Sequence, residues 1–95
     1  MAEKRYDCIV IGGGAVGALT ARALTASGAS VLLLEAGADL ASGATRANSA
    51  ILHAGFDPKP GTKKAACNVR GAALYPELAT TLELPFRPLD SLVVA

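Results

Sequence analysis

Apolar residues gather into short runs near the start of the chain and into a helical stripe beyond it. Tyr6 to Ile11 reads Tyr-Asp-Cys-Ile-Val-Ile and stops at glycines. A short β-branched run closed by glycine predicts a strand covered on both faces of a parallel sheet. Ala15 to Ser27 carries Val16, Leu19, Ala23 and Leu24 at helical spacing, which predicts a helix with that face inward. Gly28 stands where a left-handed C-terminal cap belongs. Ser30 to Glu35 (Ser-Val-Leu-Leu-Leu-Glu) is a second apolar run, and strand, helix, strand over this length is a parallel βαβ unit.

The pattern then lapses. Ala36 to Gly61 holds Gly37, Gly43, Gly55, Pro58, Pro60 and Gly61 among small polar residues. Such a stretch is irregular and, within a compact domain, usually functional or disordered; Ile51, Leu52 and Phe56 argue against disorder. Thr62 can cap a second helix from Lys63 toward Leu84, its inward face formed by Ala66, Val69, Ala73, Leu74, Leu78 and Leu82. Pro76 is expected to kink or split that helix near Tyr75, and Pro85 to end it. Phe86 to Ala95 reads as a further strand, and a chain halting inside a strand suggests a fragment of a longer polypeptide.

The chemistry lies between the first strand and the first helix. Gly12-Gly13-Gly14-Ala15-Val16-Gly17 satisfies G-x-G-x-x-G at Gly12, Gly14 and Gly17. The first glycine permits the tight turn, the second lets a pyrophosphate approach the backbone, and the third lets helix and strand pack closely. Ala15 and Val16 open the helix, whose N-terminal N–H groups and dipole attract phosphate. Glu35 ends the next strand eighteen positions after Gly17, near the usual spacing of about 20 for an acid that binds ribose hydroxyls. Its charge would repel a 2′-phosphate, which disfavours NADP. A strand before, a helix after and an acid in register make this a dinucleotide fingerprint rather than a lone glycine motif.

The fingerprint alone leaves FAD and NAD open. The residues that follow carry a resemblance. Ser42-Gly43-Ala44-Thr45-Arg46-Ala47-Asn48-Ser49-Ala50-Ile51-Leu52-His53-Ala54-Gly55-Phe56-Asp57-Pro58-Lys59-Pro60-Gly61-Thr62, with Asn68-Val69-Arg70-Gly71 and Ser91 to Ala95, resembles the glycine oxidase/D-amino-acid oxidase superfamily of FAD-dependent oxidoreductases. Within it the likeness is greatest to FAD-dependent glycerol-3-phosphate dehydrogenases, with L-2-hydroxyglutarate oxidases and dehydrogenases as near relatives. The resemblance implies an α/β fold: the N-terminal βαβ of a Rossmann-like FAD-binding domain over residues 1–85, with residues 86–95 starting a substrate domain.

It also implies roles. Thr45 and Arg46 would lie along the pyrophosphate and ribityl chain, and Asn48 and Ser49 near the isoalloxazine ring. Small residues let a backbone run close to a flat cofactor, and a guanidinium matches phosphate. Relatives often carry glycine where Ala50 stands. His53, the single histidine, falls where relatives place one near the flavin; its side-chain type suits proton transfer, and a backbone-bonded structural role is the alternative. The implied reaction is hydride transfer from a small hydroxy-substrate to flavin, glycerol 3-phosphate giving dihydroxyacetone phosphate, with quinone or another carrier as electron acceptor. Oxidation of an L-2-hydroxy acid, an amine or an amino acid on the same scaffold, an NAD-binding domain, and an inactive truncated remnant are the rival readings.

Composition adds exclusions. Nine Lys and Arg oppose eight Asp and Glu, a near balance that gives no electrostatic case for a nucleic-acid or anionic-membrane partner. No apolar segment reaches the roughly 18 residues of a membrane span. The polar start is not a secretory signal, and the expected location is cytoplasmic, with peripheral contact at the inner membrane face left open. Cys8 and Cys67 lack metal-ligand or redox spacing, so no metal is expected.

Overall fold

The computed structural model describes residues 2–94 and holds four regular elements: β1 (Cys8–Ile11), α1 (Ala15–Ala26), β2 (Val31–Leu34) and α2 (Lys63–Thr81). It divides into two compact units, Met1–Ala50 and Ile51–Ala95, each described by itself.

In the first unit β1 and β2 pair in parallel, Cys8 opposite Val31 and Ile11 opposite Leu34, and α1 packs against both strands. This is the βαβ unit expected, with each strand shorter than the apolar run that predicts it. Side chains alternate across a strand. Cys8 and Val10 are half-buried, whereas Ile9 and Ile11 are exposed, Ile11 at 85%. The expectation that β1 is covered on both faces is therefore corrected: one helix covers one face among the described residues.

The inward face of α1 also differs from expectation. Gly17, Ala18, Ala21 and Leu24 are half-buried, while Val16 is 83% exposed and Leu19 and Ala23 are exposed. Small residues win because a Cβ at Gly17 would sit on the Gly12 carbonyl oxygen, so the helix is tangent to the strand at that point. The helix closes as a Schellman end: Ala29 N–H donates to Leu24 O at 3.1 Å and Gly28 N–H to Thr25 O at 3.0 Å, with Gly28 at φ 95°.

The N-terminal end of the strand pair is fastened by one reciprocal clasp. Asp7 Oδ2 accepts from Ser30 N–H and from Ser30 Oγ, each at 2.8 Å, while Asp7 N–H donates to Ser30 O at 3.0 Å. The clasp pins the register before the ladder begins.

In the second unit α2 starts as expected, Thr62 Oγ1 accepting from Ala65 N–H at 3.2 Å. It runs unbroken through Pro76, so the expected split near Tyr75 does not occur. One turn beyond the proline, the Thr80 and Thr81 hydroxyls donate to the carbonyls of Pro76 and Glu77, both at 3.0 Å. The helix ends before Leu84, again by a Schellman pair: Leu84 N–H to Ala79 O at 2.8 Å and Glu83 N–H to Thr80 O at 3.3 Å, with Glu83 at φ 54°. Its covered face is Ala65, Asn68, Ala72, Tyr75, Leu78 and Ala79, which shares only Leu78 with the expected face. Apolar positions flank this stripe on both sides, so periodicity alone picks a neighbouring arc.

Residues 86–94 form no strand, which corrects the strand expected from Phe86 to Ala95; Ala95 itself lies outside the described residues. An apolar run becomes a strand only with a ladder partner, and none faces it among the described residues. Instead Phe86 packs against Tyr75, ring centroids 5.4 Å apart at 60°.

Asp7 is held below its ordinary carboxylate value of 3.8, first by the Ser30 backbone N–H and then by its hydroxyl. A lowered native pKa stabilises the fold above the ordinary value and loses that contribution as pH falls through the native one. Asp7→Ala is therefore expected to lower the thermal midpoint at pH 7, with the gap from wild type closing as pH falls below about 4. Thermal melts across pH measure both.

Candidate functional site

The glycine turn is built by backbone constraints from three directions. Gly12 N–H donates to Leu34 O at 2.7 Å, prolonging the ladder past β1, and Gly12 then turns at φ 104°, a region only glycine enters freely. Gly17 closes the turn from the helix side. A Cβ there would also meet Val10 Cγ1 at 3.5 Å, beyond its clash with Gly12 O. The motif's third glycine thus does what its spacing predicts.

Glu35 comes in from the neighbouring strand. Its Oε2 accepts from Gly13 N–H at 2.7 Å and its Oε1 from Gly37 N–H at 3.0 Å. These amides, Gly37 first and Gly13 next, hold the carboxyl below its ordinary range. Each carboxylate oxygen can accept a second hydrogen bond, so the group keeps acceptor capacity for a hydroxylated ligand. Gly13, the unspecified position of the motif, is buried and donates to the acid. Sequence reasoning gave it no role, and three consecutive glycines were the available signal.

The segment after β2 folds back on the turn. Ala41 N–H donates to Gly13 O at 3.0 Å, the Leu40 side chain lies over Gly13, and Thr45 Oγ1 accepts from Ala15 N–H at 2.9 Å. Gly14, the N-cap of α1, offers no side-chain cap of its own. A Cβ on it would stand 3.2 Å from Thr45 Oγ1. By helix geometry the amides of Ala15, Val16 and Gly17 precede the first intrahelical donor, Ala18 N–H, which bonds Gly14 O at 2.9 Å. Gly12, Gly14, Ala15, Val16, Gly17, Glu35 and Thr45 are therefore brought together. The role of Ala41, at φ 56°, had no sequence signal.

Arg46 is exposed, and its N–H closes a turn onto Gly43 O at 3.1 Å. Asn48 spends its side chain on its own loop: Nδ2 donates to Thr45 O at 2.7 Å and Ala44 O at 3.2 Å, and Oδ1 accepts from Ala50 N–H at 2.8 Å. That brace holds Ala50 at φ 55°, where glycine is at ease and alanine costs roughly 1–2 kcal/mol. The position where relatives often carry glycine is thus one whose backbone asks for it. Ser49 is exposed. His53 is exposed and lies in the second unit.

Both cysteines are free, and among the described residues no cluster of His, Cys, Asp or Glu could hold a metal ion. No helix of the described residues is long and apolar enough to cross a membrane.

A glycine turn between a parallel strand and its helix, faced by an acid from the adjacent strand tip, defines the dinucleotide-binding class. The family model described as "DAO: FAD dependent oxidoreductase" matches residues 7–95, and the chain belongs to that family. It is 43% identical over 90 residues to a glycerol 3-phosphate dehydrogenase of Caloramator mitchellensis, covering 95% of this chain and 19% of that protein. It is 36% identical over 95 residues to a mitochondrial L-2-hydroxyglutarate dehydrogenase of Arabidopsis thaliana (100% and 20%) and 37% identical over 92 residues to that of Homo sapiens (95% and 20%). The chain spans about a fifth of the length of these relatives.

Gly17→Ala drives a methyl group into the Gly12 carbonyl, and overpacking of this kind costs about 1–3 kcal/mol or more. Denaturant unfolding of the variant is expected to show a midpoint reduced accordingly, with flavin content falling alongside.

Proposed function

We propose that this chain supplies the dinucleotide-gripping part of an FAD-dependent dehydrogenase that oxidises a small hydroxy-substrate, glycerol 3-phosphate in the first instance. The carrying observation is the convergence of the α1 amides and the Glu35 carboxylate on one glycine turn. The turn suits the adenosine diphosphate half of FAD. Gly14 carries no side chain between the backbone and an anion, the amides of Val16 and Gly17 can donate to it, and Glu35 has acceptor capacity left for ribose hydroxyls. An aligned dipole adds roughly 0.3–1 kcal/mol per phosphate charge.

When bound, FAD supplies hydride acceptance at its isoalloxazine ring. The chain's own part is to bind, orient and exclude water. Arg46 offers a positive charge to the diphosphate, and Asn48 and Ser49 shape the stretch leading toward the ring. His53 is the candidate for moving a proton near the substrate. Residues 86–95 lead into a substrate domain, and the electron acceptor is a quinone or similar carrier. The location is cytoplasmic, with peripheral membrane contact consistent with such a carrier.

Glycerol 3-phosphate is put first because the bacterial relative named for it is 43% identical, against 36% and 37% for the two L-2-hydroxyglutarate dehydrogenases above. A 2-hydroxy acid is the second reading, favoured by the full-chain match to the Arabidopsis protein.

Anaerobic titration of the purified full-length protein separates them. Visible absorbance near roughly 450 nm, characteristic of the flavin ring, is expected to bleach with glycerol 3-phosphate and to persist with L-2-hydroxyglutarate. Bleaching by the hydroxy acid alone reverses the substrate assignment, and a colourless protein removes the flavin reading.

A further inference from the structure

The segment that carries His53 meets α2 at one glycine. Gly55 is half-buried and turns at φ 102°. A Cβ on it would stand 2.5 Å from Val69 Cγ2, 3.3 Å from Asn68 Oδ1 and 3.6 Å from Val69 Cα. The backbone at Gly55 therefore lies against the second turn of α2. Val69 does not give way cheaply, because a valine in a helix holds essentially one χ1 rotamer. Asn68 does not hold the approach by hydrogen bonding: its Oδ1 is buried there with no partner among the described residues. The fit is steric.

A second fastening lies further along the same segment. Thr62 Oγ1 donates to Lys59 O at 2.7 Å and accepts from Ala65 N–H at 3.2 Å, which ties the segment's end to the first turn of α2. Pro58, between the two fastenings, is buried. The stretch from Gly55 to Thr62 is thus held to the helix at both ends. His53 stands two residues outside it. Two residues of fully extended chain reach at most about 7 Å. The contact at Gly55 therefore bounds where His53 stands, even though His53 itself is exposed.

We propose that Gly55 and Val69 form a size-matched pair through which α2 positions His53. Neither touches a reacting atom; both act through the histidine. The consequence for the reaction rests on the role given to His53 above, whereas the positioning itself does not.

The test is made in the full-length protein with Gly55→Ala, Val69→Ala and the two combined. The substrate is glycerol 3-phosphate or L-2-hydroxyglutarate, whichever reduces the flavin. G55A is expected to lower kcat by about tenfold to a hundredfold, the scale of a catalytic group misplaced by roughly 1 Å, with KM and flavin content unchanged. Adding V69A removes the obstructing methyl group and should recover part of the loss. Recovery stays incomplete because alanine at φ 102° is still disfavoured. The His53 Cε1–H resonance should move in G55A and return toward its wild-type position in the double variant. A contact that only stabilises the fold would change melting and leave that resonance and kcat in place. A double variant no closer to wild type than G55A in either readout overturns the proposal.

If G55A does not fold, V69A decides the matter, since Val69 is 54% exposed and tolerates truncation. The Gly55 amide and His53 ring resonances should shift in V69A and keep their places in Val69→Thr, which preserves the branched shape. Unmoved resonances in V69A overturn the proposal. His53→Gln with wild-type kcat overturns the role given to His53 in the reaction. The resonance comparison still decides the positioning, so the two failures are told apart.

Discussion

Two amide protons converge on the Glu35 carboxylate, one from Gly13 and one from Gly37, at 2.7 and 3.0 Å. The first joins the tip of β2 to the turn leaving β1. The second fixes the chain as it departs from β2. Together they set where the glycine turn lies relative to the acid that faces it. The acid is thereby both a fastening of the fold and a candidate ligand group, and its two hydrogen bonds fix its orientation. Pre-orientation of this kind lowers the ordering cost of binding.

The rest of the first unit supports that contact with little buried mass. Among the described residues only Gly13, Pro58 and Ala79 are buried. Definition comes instead from backbone hydrogen bonds and their ends: a four-residue parallel ladder, the Asp7–Ser30 clasp at its N-terminal end and a Schellman close at the end of α1. Ile9, Ile11 and Leu34 remain exposed. Such an arrangement specifies geometry well while contributing modest hydrophobic stability, as expected for so short a chain.

What the sequence revealed follows from how local each signal is. The βαβ order, the Thr62 and Gly28 caps and the glycine turn rest on interactions within a few residues, or on glycines whose absent Cβ leaves a mark in the sequence. Of the expected helix faces only Leu24 and Leu78 came through. Val16 and Leu19 outrank Ala18 and Ala21 in hydrophobicity, yet the close approach at Gly17 selects the small side. Pro76 was expected to kink or split α2, and the helix continues through it without a split. The strand expected from Phe86 has no ladder partner to define it. At the site, Glu35 was found by spacing and Thr45 by family likeness, but their bonds to Gly13 and Ala15 join residues 22 and 30 positions apart and left no trace in either local stretch. The hydrogen bonds by which the Asn48 side chain holds the bend at Ala50 likewise had no signal in the sequence.

The central claim is that the Glu35 carboxylate, as an anion, grips the glycine turn. A group whose native pKa is lowered contributes stability above its ordinary value, 4.5 here, and loses it as pH falls through the native value. A carbon-detected NMR titration of the Glu35 carboxyl, followed together with the Gly13 amide, measures this most directly. The account predicts a carboxyl midpoint below 4.5 and a Gly13 amide shift that titrates in step with it. A midpoint at or above that value, with a Gly13 amide indifferent to pH, would contradict it.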